Sequence, residues 1–112
     1  MKAFDTEIVT SLIEENGSFP NNGKLPLLVV REVFPEKTVR PKQFENLLER
    51  NRWSPGWRNG LYNYHHYHST AHEFLGIYSG WVTACFGGPG GMQLTVKAGD
   101  ALIIPAGVAH SN

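Results

Sequence analysis

The sequence has little cysteine, no surplus of either charge and no long apolar run. Its 112 residues include one cysteine, Cys85, and ten basic residues balance ten acidic ones. A single cysteine excludes an internal disulfide and fits a reducing cytoplasm, where we expect the protein to be. Balanced charge removes the general attraction for nucleic acid. Without an apolar run of about 18 residues, or a basic stretch and apolar block at the start, we expect neither a membrane partner nor a secretory signal.

The composition is that of one folded domain. Apolar residues make up 41% of the chain and charged residues only 18%, which argues against a disordered tail. A chain of this length supports one hydrophobic core and not two. We therefore expect a single domain over residues 1–112.

The first half of the chain predicts one helix and at least one strand. Pro41 suits a first helical turn, and Phe44, Leu47 and Leu48 follow at helical spacing, so a helix is predicted from Pro41 to near Asn51. Before it, Leu25 to Val33 is typical of a strand. The run from Pro20 to Lys24 is typical of a turn, and Glu7 to Ile13 fits either a strand or a helical turn.

From Gly60 onward, short β-type runs alternate with turn residues. Five strands are predicted, at Tyr62–His68, Phe74–Tyr78, Trp81–Phe86, Gln93–Lys97 and Ala101–Ile104. The glycine cluster from Gly87 to Gly91 lacks the lysine and helix of a phosphate-binding loop and is interpreted as a hairpin. Short strands with regular turns predict an all-β fold, a small antiparallel sandwich or barrel.

Histidine is concentrated in a pattern that suits a metal site. Side chains alternate across a strand, so His66 and His68 should share one face, while His65 should point the other way. A strand returning beside the first would bring Glu73 toward them, and a Pro-Gly bend would aim His110 inward. Imidazoles and a carboxylate converging in one interior are a good set of ligands for a divalent metal.

The spacing of these residues resembles the two motifs of the cupin superfamily. Gly60, His66, His68, Glu73 and Gly80 are separated as in the first motif throughout. The second motif is matched by Gly99, Pro105, Gly107 and His110. More narrowly, the run HHYHSTAHE, with WRNG before it and PAGVAH after it, resembles the small single-domain cupins of the YjlB-like group.

The resemblance implies a double-stranded β-helix, which is a small β-barrel, with one short helix before it. It also implies a divalent metal (Fe, Mn, Ni or Zn) held by His66, His68, Glu73 and His110. Such a site keeps open positions for water or a small-molecule ligand. The expected function is a metal-dependent enzyme of oxygenase, isomerase or hydrolase type; the alternatives are a non-catalytic sensor or binding protein, and a partly inactive remnant.

One departure from the pattern concerns the second motif. In the family it continues three residues beyond the histidine to an asparagine, and one or two further strands close the barrel, whereas this sequence ends at Asn112. We expect either a longer natural chain or a partner chain that supplies the missing strand. Because small cupins often pair by strand exchange, a homodimer is expected, with the N-terminal segment exchanged.

Several other residues near the motifs could contribute to a site. His72 and Tyr64 are weak candidates for moving protons, although His65 and His72 are interpreted mainly as surface or ligand-orienting histidines. Tyr62, Tyr64 and Tyr78 are interpreted mainly as packing residues. Arg58 is more typical of a solvated arginine than of an anion-binding group, and Cys85 is expected to be an inert buried thiol.

Overall fold

The computed structural model describes residues 7–15, 17, 19–35, 39–53 and 67–112. Within them lie one helix and seven strands. In chain order these are β1 (Ile8–Ile13), β2 (Asn22–Val30), α1 (Pro41–Arg50), β3 (Glu73–Gly76), β4 (Trp81–Phe86), β5 (Met92–Lys97), β6 (Ala101–Ile104) and β7 (His110–Ser111). The described residues contain no helix of the length and apolarity needed to cross a membrane.

The strands form two antiparallel sheets. The first has the order β1-β2-β6-β3 and the second the order β5-β4-β7. Every paired neighbour is antiparallel. The all-β class expected from the sequence is therefore confirmed for the described residues.

The main core lies where the inner faces of the two sheets meet. The first sheet contributes Leu27 and Val29 of β2 and Leu102 and Ile104 of β6, and the second contributes Ala84, Phe86 and Val96. Val108, in the segment that connects the sheets, packs into the same cluster. Burial of these apolar side chains is the largest stabilising contribution to the fold.

Helix α1 covers the outer face of the first sheet. It begins at Pro41, whose missing N–H costs nothing in a first turn, and Gln43 Oε1 accepts a hydrogen bond from the Arg40 amide at 2.8 Å. Phe44 packs edge-on against Phe34 and lies over Gly76 of β3, where a Cβ would come within 2.6 Å of its ring. The glycine lets the helix lie close to the sheet.

The predicted elements match the structure in type more often than in their boundaries. The helix and the strands at Trp81–Phe86 and Ala101–Ile104 are confirmed, as is the hairpin loop between β4 and β5. Glu7 to Ile13, which had two interpretations, contains the strand β1. The strand predicted at Gln93–Lys97 begins one residue earlier, at Met92.

Three predictions about local structure need correction, one in the type of element and two in the bounds of a strand. Pro20 to Lys24 is not a turn throughout, because β2 begins at Asn22, where it pairs with Ile13 of β1. The strand predicted at Leu25–Val33 ends at Val30, and residues 31–34 form a turn and a bend. The strand expected at Phe74–Tyr78 is shorter and shifted, at Glu73–Gly76.

A fourth correction concerns His68. It was expected at the end of a strand covering Tyr62–His68, but residues 67 and 68 have no regular secondary structure. Instead, the His68 carbonyl accepts a hydrogen bond from the amide of Gly107 at 2.8 Å. The rest of that predicted strand lies outside the described residues.

Candidate functional site

Glu73 points into the space between the two sheets. It begins β3 and lies opposite Ile104 of β6, which is fully buried in the main core. Leu75, two residues along and on the same face, packs against that core, whereas Phe74 packs on the side of helix α1. Strand alternation therefore directs the Glu73 carboxylate inward, and its side chain is 26% exposed.

His110 reaches the same space from the second sheet. It lies on β7 directly opposite Phe86 of β4, and cross-strand partners share one face of a sheet. Because Phe86 belongs to the main core, the His110 imidazole also faces inward, and it is 1% exposed. The two sheets thus bring together side chains that are 37 positions apart in sequence.

Three side chains meet at one carboxylate oxygen. His110 Nε2 lies 3.2 Å from Glu73 Oε1, and His68 Nε2 lies 3.2 Å from the same oxygen. His68 is the more exposed of the two imidazoles, at 54% against 1%. We call His68, Glu73 and His110 the His–Glu cluster; it has one solvent-facing imidazole and one fully buried imidazole.

The orientation of the His110 ring follows from its second nitrogen. Nδ1 lies 3.1 Å from the carbonyl oxygen of Val108. A carbonyl oxygen only accepts hydrogen bonds, so Nδ1 carries the hydrogen and donates it. In the neutral ring, Nε2 then presents its lone pair to Glu73 Oε1, which is also an acceptor. Two acceptors at 3.2 Å repel each other unless a proton or a cation lies between them.

The turn of the second motif is attached to the segment that carries His68. The Gly107 amide donates to the His68 carbonyl at 2.8 Å, and the Ala106 amide donates to His72 Nδ1 at 2.9 Å. On the other side, Asn22 Nδ2 donates to the Ala106 carbonyl at 3.2 Å. These three hydrogen bonds hold the turn between β2 and residues 68–72.

His72 contacts the turn that precedes His110 through a hydrogen bond with the Ala106 amide. Its Nδ1 accepts the Ala106 amide and therefore carries no hydrogen, which leaves the ring proton on Nε2. His72 helps to hold the turn that precedes His110. Its ligand-orienting role stays a prediction. A part in proton transfer stays a prediction.

Some predicted site residues lie outside the described residues. These are His66, His65, Tyr62, Tyr64 and Arg58. The described part of the chain holds no group of three or more histidine, cysteine, aspartate and glutamate side chains that could hold a metal ion as they stand. Of the four expected ligands, three lie together in the structure: His68 and His110 each contact the same oxygen of Glu73.

Two asparagines at the start of β2 were missed by the sequence analysis. Asn21 is 6% exposed and contacts the segment before His110, while Asn22 holds the turn at Ala106. The only sequence signal was the pair Asn21-Asn22 followed by Gly23, which had been interpreted as part of a turn. Asn21 does have a positive φ of 48°, a conformation that asparagine tolerates better than most residues.

The fold and the His–Glu cluster define an all-β protein with a polar site between two antiparallel sheets. The chain is 34% identical over 106 residues to YjlB, an uncharacterised protein of Bacillus subtilis (strain 168). The match covers 95% of this chain and 62% of that protein, so the chain spans about three fifths of the length of its relative. No family model and no solved structure matches the chain significantly.

Proposed function

We propose that this chain is a metal-binding cupin that acts on a small molecule. The spacing of both motifs supports the family, and the likeness to YjlB supports the YjlB-like group. Two facing antiparallel sheets with a polar site between them are compatible with the cupin barrel. The proposed ligands are His68, Glu73 and His110 of the His–Glu cluster, together with His66.

The observation that carries the proposal is the approach of His68 Nε2 and His110 Nε2 to one oxygen of the Glu73 carboxylate. Neighbouring ligands about 2.1 Å from one cation lie roughly 3.0 to 3.4 Å from each other in octahedral or tetrahedral geometry. The two separations of 3.2 Å fall in this range. Imidazole nitrogen and carboxylate oxygen are also the donors that Fe, Mn, Ni and Zn accept.

The chain's own residues would hold and orient the ion. Glu73 supplies negative charge to the site, and the Val108 carbonyl fixes the His110 ring with Nε2 facing Glu73. The buried His110 limits water on one side, while the exposed His68 leaves the other side accessible. A divalent metal held there would supply a Lewis acid with open positions for a substrate or water.

A metal titration tests the site. Metal-free protein titrated calorimetrically with Fe(II), Mn(II), Ni(II) or Zn(II) is expected to bind one equivalent of at least one ion. At a free concentration 100 times the Kd, the ion should stabilise the fold by about 2.7 kcal/mol, seen as a higher Tm. His110→Ala should sharply reduce this gain because it removes one of the four proposed ligands.

The matched control is His72→Ala, which removes a nearby imidazole whose Nδ1 already accepts the Ala106 amide. It removes no proposed ligand and loosens only a supporting contact, so its loss of affinity should not exceed the roughly 10- to 100-fold typical of orienting residues and should stay well below the loss in His110→Ala. The site assignment is wrong if folded His110→Ala binds metal as tightly as the unmodified protein.

The alternative is a non-catalytic sensor or binding protein that uses the same ligands. The two functions differ in turnover, because an enzyme must convert a bound metabolite and a sensor must release it unchanged. Metal-loaded protein incubated with metabolite mixtures under air and without oxygen, followed by mass spectrometry, distinguishes them. We expect the metal-loaded protein to consume a small molecule. The His110→Ala variant should not consume it. Reproducible binding of a metabolite, with its mass unchanged for every metal, would favour the sensor.

We also propose that the protein forms a homodimer. Strand β1 is at the end of the first sheet, with β2 as its neighbour on one side. Ile8 and Leu12 on this strand are 60% and 50% exposed, which gives a second copy an apolar surface to cover. The cytoplasmic location stays a prediction from the sequence.

A further inference from the structure

The segment before His110 is held by a buried asparagine. Asn21 is 6% exposed, and its Oδ1 accepts a hydrogen bond from the amide of Ala109 at 3.1 Å. Ala109 immediately precedes His110, and it is fully buried. The position of the His110 backbone is therefore coupled to a side chain just before β2, which lies 88 residues from Ala109 in sequence.

The amide nitrogen of Asn21 completes the attachment. Nδ2 donates to the carbonyl of Gly87 at 3.2 Å and to the carbonyl of Glu14 at 2.9 Å. Gly87 in turn donates its amide to the Ala109 carbonyl at 2.8 Å. The side chain thus connects the residue after β1, the end of β4 and the start of β7, and we call these contacts the Asn21 clamp.

The chemistry of the clamp requires an asparagine. It needs one acceptor, for Ala109, and one donor group, for the two carbonyls, on a side chain short enough to fit at a positive φ. Aspartate provides the acceptor but not the donor, and glycine fits the backbone but provides neither. The Asn21 carbonyl also lies close to Gly107, where a Cβ would come within 2.5 Å of it.

From these contacts we infer that Asn21 is a positioning residue for the metal site, acting through His110. This inference rests on the proposed function, because its first test measures metal affinity. The clamp fixes Ala109, the Val108 carbonyl orients the ring, and together they aim Nε2 at Glu73. Without the clamp, the fold keeps its core, but the His110 imidazole is no longer held at one position.

A double-mutant cycle on metal affinity tests the inference. Calorimetric titration with Zn(II) or Mn(II) is made on the unmodified protein, Asn21→Gly, His110→Ala and the double variant. Glycine retains the positive φ, so the change removes the side chain without backbone strain. We expect Asn21→Gly alone to weaken binding 10- to 100-fold, the usual loss for a residue that orients a ligand. In the His110→Ala background it should have no further effect.

The control separates positioning from general destabilisation. Val39→Ala removes apolar packing from the second cluster under helix α1 and contacts none of the His–Glu cluster. It should lower Tm comparably while leaving metal affinity unchanged. Asn21→Asp keeps the acceptor for Ala109, so it should retain more affinity than Asn21→Gly. The inference is overturned if Val39→Ala and Asn21→Gly weaken binding equally, or if Asn21→Gly acts equally in both backgrounds.

A measurement without metal keeps the two proposals separable. In ¹H–¹⁵N spectra of the metal-free protein, the His110 ring should show one state with hydrogen fixed on Nδ1 by the Val108 carbonyl, whether or not Nε2 also carries hydrogen. Asn21→Gly should average this signal over several ring orientations. If the unmodified protein binds no metal, the proposed function fails, while this spectrum still tests whether Asn21 fixes His110. An unchanged signal of the hydrogen on His110 Nδ1 in the Asn21→Gly variant would reject the positioning role.

Discussion

Replacing Glu73 by glutamine is expected to weaken divalent-metal binding by more than about 100-fold, beyond the loss for a residue that only orients a ligand. Both imidazoles of the His–Glu cluster approach the same oxygen, Oε1, at 3.2 Å. Glutamine keeps the size of the side chain but removes its negative charge. The remaining amide oxygen is a poorer ligand, and the cation loses the counter-charge of the described cluster.

The measurement is competition with a chromophoric chelator, followed by elemental analysis of the loaded protein. The control is Glu32→Gln, which makes the same chemical change at a carboxylate that is 54% exposed and lies 3.8 Å from Lys97 Nζ. Glu32→Gln should bind metal like the unmodified protein. Equal affinity in the two glutamine variants would remove Glu73 from the site and, with it, the proposed metal centre.

The Glu73 variant also separates two explanations of the cluster. Without a metal, Oε1 can accept an N–H from each imidazole, provided that His110 carries hydrogen on both nitrogens. Such a cluster would lose stability in Glu73→Gln without any dependence on added metal. In the metal explanation, the stability difference between the two proteins grows with metal concentration. Thermal unfolding at several Zn(II) concentrations distinguishes them.

The sequence predicted the inward direction of Glu73 better than that of His110. Glu73 lies on a strand where Leu75 shares its face, so alternation is enough to orient it. His110 lies on a strand of two residues after a Pro-Gly turn, where alternation says little. Its direction depends on pairing with Phe86 and on the clamp by Asn21. Both contacts are long-range, and no local pattern encodes them.

The start of β2 shows why a local turn signal failed. Asn22 Oδ1 accepts the amides of Lys24 and Leu25, a local pattern that usually belongs to a turn. Here the same residues continue a strand, because Asn22 pairs with Ile13. Tertiary pairing overrides local propensity in such segments. The sequence therefore correctly indicated the residue types that bend the chain, but it could not indicate that a strand starts among them.

The largest expected loss of stability comes from Asp100, which the sequence analysis did not single out. Its carboxylate is fully buried, and Oδ2 lies 3.0 Å from Arg31 Nη1. It also accepts the amide of Lys97 at 2.9 Å and the amide of Glu32 at 3.0 Å. Glu32 has a positive φ of 50°, so Asp100 holds a strained turn after β2 as well as the turn between β5 and β6.

Asp100→Ala is expected to lower the free energy of unfolding by about 3–5 kcal/mol, because it leaves two amides without their acceptor and removes the anion that faces Arg31, whose Nη1 keeps only the Thr95 carbonyl among the described residues. The free energy of unfolding of a domain is roughly 5–15 kcal/mol in total. The urea midpoint of Asp100→Ala should therefore be much lower than that of the unmodified protein. The control is Glu32→Ala, at an exposed carboxylate near the same Lys97. It should change the free energy of unfolding by less than about 0.5 kcal/mol. Asp100→Asn keeps an acceptor but loses the charge facing Arg31, so its urea midpoint should fall between those of Asp100→Ala and Glu32→Ala. Similar midpoints for Asp100→Ala and Glu32→Ala would show that the turns hold without the buried carboxylate.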